Sequence, residues 1–394
     1  MTTHALARIR TRATLAVLVL AAGAVACDDV TGAFTPVAFG PVSAGGDHAC
    51  ALSTDGAVFC WGANTSGQLG TGGVETSVVP VRVTADSSFT QIASGERHTC
   101  ALTGSGVLFC WGWNFYGQLG NKSTIDQGLP IPVAPETRFQ SVSTGWFHTC
   151  AITVAGEAFC WGANGQGQLG NGGTQQSDRP VRVASGLRFS SITAGGFHTC
   201  GLTTARTVYC WGLNHQGQLG TGMAESTTRP ARVDGGGDYI DVSAGYAHTC
   251  GVLEGGAPRC WGSNGAGELG VAFVSPPGVP GSTRPADVLA VIVPFVSIDA
   301  GLELTCGVTT DARGWCWGEG SEGQLGTGAY TAWSTPQPVA NVPDFAFVSA
   351  GGDKYACGFT RSSDLFCWGS GQQGQLGSAG APMTAAPRRV RGTL

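Results

Sequence analysis

The sequence predicts an all-β chain folded as one seven-bladed β-propeller. Three observations predict it. First, 64 of 394 residues are glycine and only 12% are charged, against usual shares of ~7% and ~25%. Second, Val, Thr, Phe and Trp are frequent while Lys and Glu are scarce, which favours strands joined by tight turns. Third, one motif recurs seven times. Its first cysteines are Cys50, Cys100, Cys150, Cys200, Cys250, Cys306 and Cys357, and its second cysteines are Cys60, Cys110, Cys160, Cys210, Cys260, Cys316 and Cys367. Repeats of this length, built of short strands, read as propeller blades.

The chain opens differently. Arg8, Arg10 and Arg12 precede an apolar run, "ATLAVLVLAAGAVA" (13–26), too short to span a bilayer and suited to a signal peptide. Two cleavage readings stand side by side. Ala24-Val25-Ala26 fits ordinary signal peptidase, whereas a small residue before Cys27 resembles a bacterial lipobox, with Ala24 where Leu is usual. Fourteen of the 15 cysteines pair by spacing and Cys27 is the odd one, which favours Cys27 as a lipidated N-terminus. The expected organisation is a signal peptide over 1–26, a linker over 27–37 and the ring over 38–394. The expected location is extracytoplasmic, at the cell envelope, anchored by lipid alone or secreted.

Within each unit the hairpin is legible. If Cys100 faces Cys110, the loop is Gly104-Ser105-Gly106, and a three-residue hairpin loop wants a left-handed residue in third place. Gly56, Gly106, Gly156 and Gly256 occupy it, whereas Arg206, Ala312 and Ser363 break the pattern. The two sulfurs then project from one face of neighbouring strands, within disulfide reach. Seven such staples point to an oxidising compartment.

The second half of each unit reads "CWGxNxxGQLG". Its Asn (Asn64, Asn114, Asn164, Asn214, Asn264) is replaced by Gly320 and Gly371 in units six and seven. Tolerance of positive φ is what Asn and Gly share, so the position is expected to be left-handed. Leu69 and its equivalents are expected in the core, and Trp61, Trp111 and their equivalents between blades. The insertion "VAFVSPPGVPGSTRP" (271–285) reads as a surface loop.

"ITAGGFHTCGLT" (192–203) and "CWGLNHQGQLG" (210–220) resemble the two signatures of the RCC1 (regulator of chromosome condensation) repeat family. The paired cysteines are similar to those of plant crinkly-type receptor ectodomains. The resemblance implies a seven-bladed ring closed by pairing both chain ends, with "FGPVSAGG" (39–46) and "PRRVRG" (387–392) completing one blade together. It also brings an alternative function, guanine nucleotide exchange. Units spaced by 50 residues leave no room for an inserted exchange wedge.

The chemistry is sparse. Net charge is −5 with no basic run, which argues against nucleic acid. His48, His98, His148, His198 and His248 stand two residues before a cysteine, a spacing that also fits a histidine–dicysteine zinc site. Units six and seven carry Leu304 and Tyr355 there yet keep both cysteines, so the cysteines are read as each other's partners and the histidines as structural, bonding backbone near the axis. No metal or cofactor is expected. Asp47, Glu96, Glu303 and Asp353 occur singly, and no nucleophile elbow, phosphate loop or HExxH is present. An unrecognised envelope hydrolase or lyase is the remaining enzymatic alternative; the reading adopted is non-enzymatic.

Residues that vary between copies are free to carry recognition. Aromatics collect in neighbouring units: Trp113, Phe115 and Tyr116 in one loop set, Trp146, Phe147, Phe197 and Tyr246 in the other. Exposed large aromatics are binding hot spots. The expected role is a monomeric scaffold binding a protein or glycan. Whether both loop sets open on one face is left undecided by the sequence.

Overall fold

The computed structural model describes residues 37–390 apart from 277, 278, 280, 290, 353 and 381. The leader, Cys27 and the linker up to residue 36 lie outside these residues. Twenty-eight strands form seven four-stranded antiparallel sheets, each in simple sequence order. In blade 1 these are β1 (Phe39–Ala44), β2 (His48–Ser53), β3 (Val58–Gly62) and β4 (Ser77–Arg82). β1 lies innermost, against the central bore, and β4 lies on the rim. β2 and β3 are buried throughout, as strands covered on both faces must be, whereas β4 is only partly buried.

The hairpin register is the expected one. Cys100 faces Cys110, and Thr103 N–H donates to Val107 O at the turn, 3.0 Å. All seven cysteine pairs are disulfides, each with 4.1 Å between Cα atoms, and all fourteen are fully buried. Gly106 is left-handed at φ 81°, and so are the three residues that break the glycine pattern: Arg206 at 58°, Ala312 at 63° and Ser363 at 65°. The turn is therefore common to all blades, and three of them carry a side chain in a backbone region that disfavours one.

Two expectations are corrected. No blade is shared between the chain ends. β1 opens blade 1, and Met383–Arg389 closes blade 7 as its own fourth strand. The ends meet through ordinary blade-to-blade contacts: Trp61 Nε1–H donates to Gln375 O (2.8 Å), Gly352 N–H to Gly45 O (2.7 Å) and Ala44 N–H to Ser349 Oγ (3.1 Å). A complete fourth strand at each end leaves nothing to complete. Second, the "WGxN" asparagine is not left-handed. It works through its side chain: Asn64 Oδ1 accepts from Leu69 N–H (2.9 Å), and Nδ2 donates to Gly73 O (3.1 Å) and Glu75 O (3.0 Å). The amide thus ties a long loop shut. Gly320 replaces it because a Cβ there would lie 2.0 Å from Thr331 O; the loop backbone fills the space itself.

Apolar clusters fill the blade junctions. Trp111 of blade 2 packs on Leu52, Val58 and Leu69 of blade 1, and its Nε1–H donates to Gln68 O, 2.9 Å. Every rim strand carries a proline: Pro80, Pro130, Pro180, Pro230, Pro285, Pro336 and Pro387. Pro80 falls in the irregular stretch between the Cys60–Val81 and Gly62–Ser77 pairs. A missing donor on a bulged edge discourages strand addition from outside.

Candidate binding face

The two variable loop sets share one face. The turn between the first and second strands is bonded to the start of the loop after the third strand of the same blade. Trp113 N–H donates to Arg97 O (2.8 Å), Ala163 N–H to Phe147 O and Leu213 N–H to Phe197 O (both 2.9 Å). The seven aromatics singled out in the sequence therefore converge. Trp113 meets Phe115, Tyr116 and Phe147 at centroid separations of 6.2, 5.6 and 5.9 Å. Phe147 meets Tyr116, Trp146 and Phe197 at 5.7, 6.0 and 5.2 Å. Tyr246 closes the set against Trp146 at 4.4 Å and Phe197 at 5.9 Å. The chain of rings runs from Phe115, 63% exposed, to Trp146 and Tyr246 at the mouth of the bore. The six other than Phe115 are half-buried. Most contacts are edge-to-face, the geometry that ring quadrupoles favour.

Comparison with known proteins fits this architecture. The family model of the RCC1-like domain matches residues 130–394. The chain belongs to the RCC1-like domain family. The model of the regulator of chromosome condensation (RCC1) repeat matches residues 55–102 and 105–152, and a second model of that repeat matches 89–118. Human probable E3 ubiquitin-protein ligase HERC6 is 34% identical over 97 residues, 24% of this chain and 10% of that protein. The mitochondrial RCC1 domain-containing protein RUG3 of Arabidopsis thaliana is 32% identical over 111 residues, 28% of this chain and 25% of that one. The matches thus span a quarter or less of these relatives. Yeast RCC1 (Prp20), solved bound to Kap60, superposes with a TM-score of 0.78 at 22% identity, covering 87% of this chain and 85% of that one. The ectodomain of the Physcomitrella patens receptor kinase CR4 gives 0.53 at 26% identity, covering 84% and 74%. At these identities the yeast likeness speaks for the fold.

Within this RCC1-like ring the histidines are tied to the next blade. His48, His98, His148, His198 and His248 bond through Nε2 to Thr99, Thr149, Thr199, Thr249 and Thr305 Oγ1, at 2.8 to 2.9 Å. Each threonine hydroxyl hydrogen goes elsewhere; Thr149 donates to Gln118 O at 2.8 Å. Its oxygen must therefore accept from His98, which puts the imidazole proton on Nε2. The expected partner was backbone; the actual one is a side chain of the next repeat. The signal lay in the repeats. Blade 7 has Ala356 and blade 1 has Ala49 in the threonine's place, and the blades before them carry Leu304 and Tyr355 instead of His. Burial holds the histidines neutral, depressing four of them to about 3 and His248 to about 4. Among the described residues no group of three or more His, Cys, Asp or Glu stands ready to hold a metal.

Sequence reasoning missed the innermost strands. Ser43, Ser143, Thr193, Ser243 and Ser349 each accept a backbone N–H from the next blade, at 2.8 to 3.1 Å. In blade 6 that place holds Asp299, which accepts from Ala350 N–H (2.9 Å) and Ser243 Oγ–H (2.8 Å). Burial pushes its carboxyl up to about 6 despite those bonds.

Proposed function

We propose that this RCC1-like chain is an exported, lipid-anchored propeller that serves as a partner-binding scaffold at the cell envelope. One observation carries the reading: seven variable aromatics, drawn from two loop sets and four blades, form one connected surface on one face. Large aromatics held rigidly bring contact area at little entropic cost. The export half rests on the leader's composition and on seven buried disulfides, which suit an oxidising compartment.

A protein fits better than a glycan. Sugars stack on broad, open ring faces, whereas here most rings meet a neighbour's edge, as at 84° between Trp113 and Tyr116 and 74° between Trp146 and Phe147. Such a surface suits knobs and grooves.

The test pairs W146A/F147A with the wild-type chain in crosslinking capture from the host's envelope fraction. Loss of the captured partner with an unchanged melting temperature supports the reading; undiminished capture overturns it. Location is tested by intact mass after thiol blocking without reductant. A chain beginning at Cys27 with a lipid increment and no blocked thiols is expected, and a chain with most thiols blocked overturns export.

A further inference from the structure

The aromatic surface borders a second chemistry. Tyr246 N–H donates to Gly301 O (2.9 Å), which sets Tyr246 against the blade 6 turn carrying Leu302 and Glu303. Glu319 opens the long loop of that blade, its N–H on Glu303 O at 2.9 Å, and Glu322 follows in the same loop. Glu303 is exposed; Glu319 and Glu322 are half-buried. Partial desolvation by the surrounding loops and the nearby Glu268 and Glu319 carboxylates push Glu303 above its ordinary range. Lys354 is the cation beside them, its Nζ 3.9 Å from Glu322. The other Lys and Arg of these loops, Arg97 and Lys122, belong to blade 2. The face is therefore divided: rings on blades 2 to 5, an excess of carboxylates on blade 6.

We propose that this face docks a cationic polypeptide segment, with an apolar or aromatic anchor on Trp146, Phe147 and Tyr246 and Lys or Arg side chains against Glu303, Glu319 and Glu322. The proposal rests on the reading of the aromatic face as a docking surface and names the chemistry of what docks there. Like charge repels an acidic partner, and a neutral glycan brings no cation to balance the carboxylates. A basic segment answers both sectors, and its cations also gain from ring faces.

The test pans a random peptide library displayed on phage against the immobilised full chain, at low and at high salt. Peptides that combine Lys or Arg with an aromatic are expected. Their binding should weaken about tenfold in E303Q/E319Q/E322Q and fall with salt, because rim charges act through screened attraction. Selection of neutral peptides, equal binding to the triple variant, or binding on a glycan array with no peptide selected would each overturn the proposal. The W146A/F147A variant separates the two levels. Neutral peptides that it loses leave the aromatic docking surface standing and remove only its cationic partner. Peptides that it binds as well as wild type remove the docking surface itself.

Discussion

Trp146 of blade 3 and Tyr246 of blade 5 touch, with ring centroids 4.4 Å apart, although blade 4 stands between them. They meet over Gly196. A Cβ there would lie 2.6 Å from Tyr246 O and 2.7 Å from its Cδ2, so the glycine is what admits the tyrosine ring. Gly196→Val is expected to displace Tyr246, change the near-ultraviolet circular dichroism and cost about 1–3 kcal/mol as an overpacked contact. An unaltered aromatic spectrum with unaltered stability would show that the ring is placed by something else.

The His98–Thr149 pair predicts strong coupling. Thr149→Ala leaves a buried Nε2–H without an acceptor, at a cost of about 1–3 kcal/mol. His98→Leu with Thr149→Ala copies the apolar junction that Leu304 and Ala356 already make. The double variant should therefore lose less than the sum of the single losses, by about 1 kcal/mol or more in a denaturation cycle. Additive losses would mean that the bond contributes nothing of its own.

The same histidines set an acid limit. Their folded values lie near 3 to 4, below the ordinary 6.5 that they regain on unfolding. A depressed value means that their stabilising effect is complete above pH 6.5 and drains away as pH falls toward the folded value. At pH 5 each unfolded imidazole gains about 2 kcal/mol from protonation that the buried one forgoes. The melting temperature should fall steeply between pH 6.5 and 4, with the five imidazoles each taking up close to one proton on unfolding while Asp299 releases one, and H98L/T149A should remove one of those uptakes. A melting curve that is flat from pH 7 to 5 would contradict the neutral, buried assignment.

Much of this was legible because repeats report on one another. The cysteine spacing yields the hairpin register, and the aromatic positions stand out because other copies are small there. What stayed hidden is what crosses between units. Asn64 and Gly320 look alike in backbone tolerance, yet the difference is one of space: an amide that ties a loop or a backbone that fills the gap. His98 finds its partner one repeat later, which becomes visible only when Leu304 is read together with Ala356. Whether two loop sets share a face depends on hydrogen bonds such as Trp113 N–H to Arg97 O, which no spacing announces.

The disulfides predict resistance to reduction. All fourteen disulfide cysteines are fully buried, so a reductant meets them only after a blade opens. Thiol labelling under reductant in native buffer should stay low, and should reach fourteen for residues 38–394 once denaturant is added. Cys100→Ala with Cys110→Ala closes no 11-residue loop and should cost about 2.5–3 kcal/mol in the chain-entropy account. Rapid native labelling would show that the blades breathe independently.

Asp299 acts in the opposite sense to the histidines. Its folded value, about 6, stands above the usual 3.8, because burial opposes the charge and Asp241 adds a second carboxylate. A raised acid favours the folded state most when it is protonated. That contribution is complete below about 3.8 and is lost as pH rises through 6. Above pH 6 the ring therefore carries a buried carboxylate at the blade 6–7 junction, a burden of about 3 kcal/mol at most. The other blades show the remedy, since Ser243 and Ser349 make the same junction bond without charge. Asp299→Ser should raise the melting temperature at pH 8 and change it little at pH 4. An equal loss at both values would mean that the carboxylate's bonds to Ala350 N–H and Ser243 outweigh the cost of burying it.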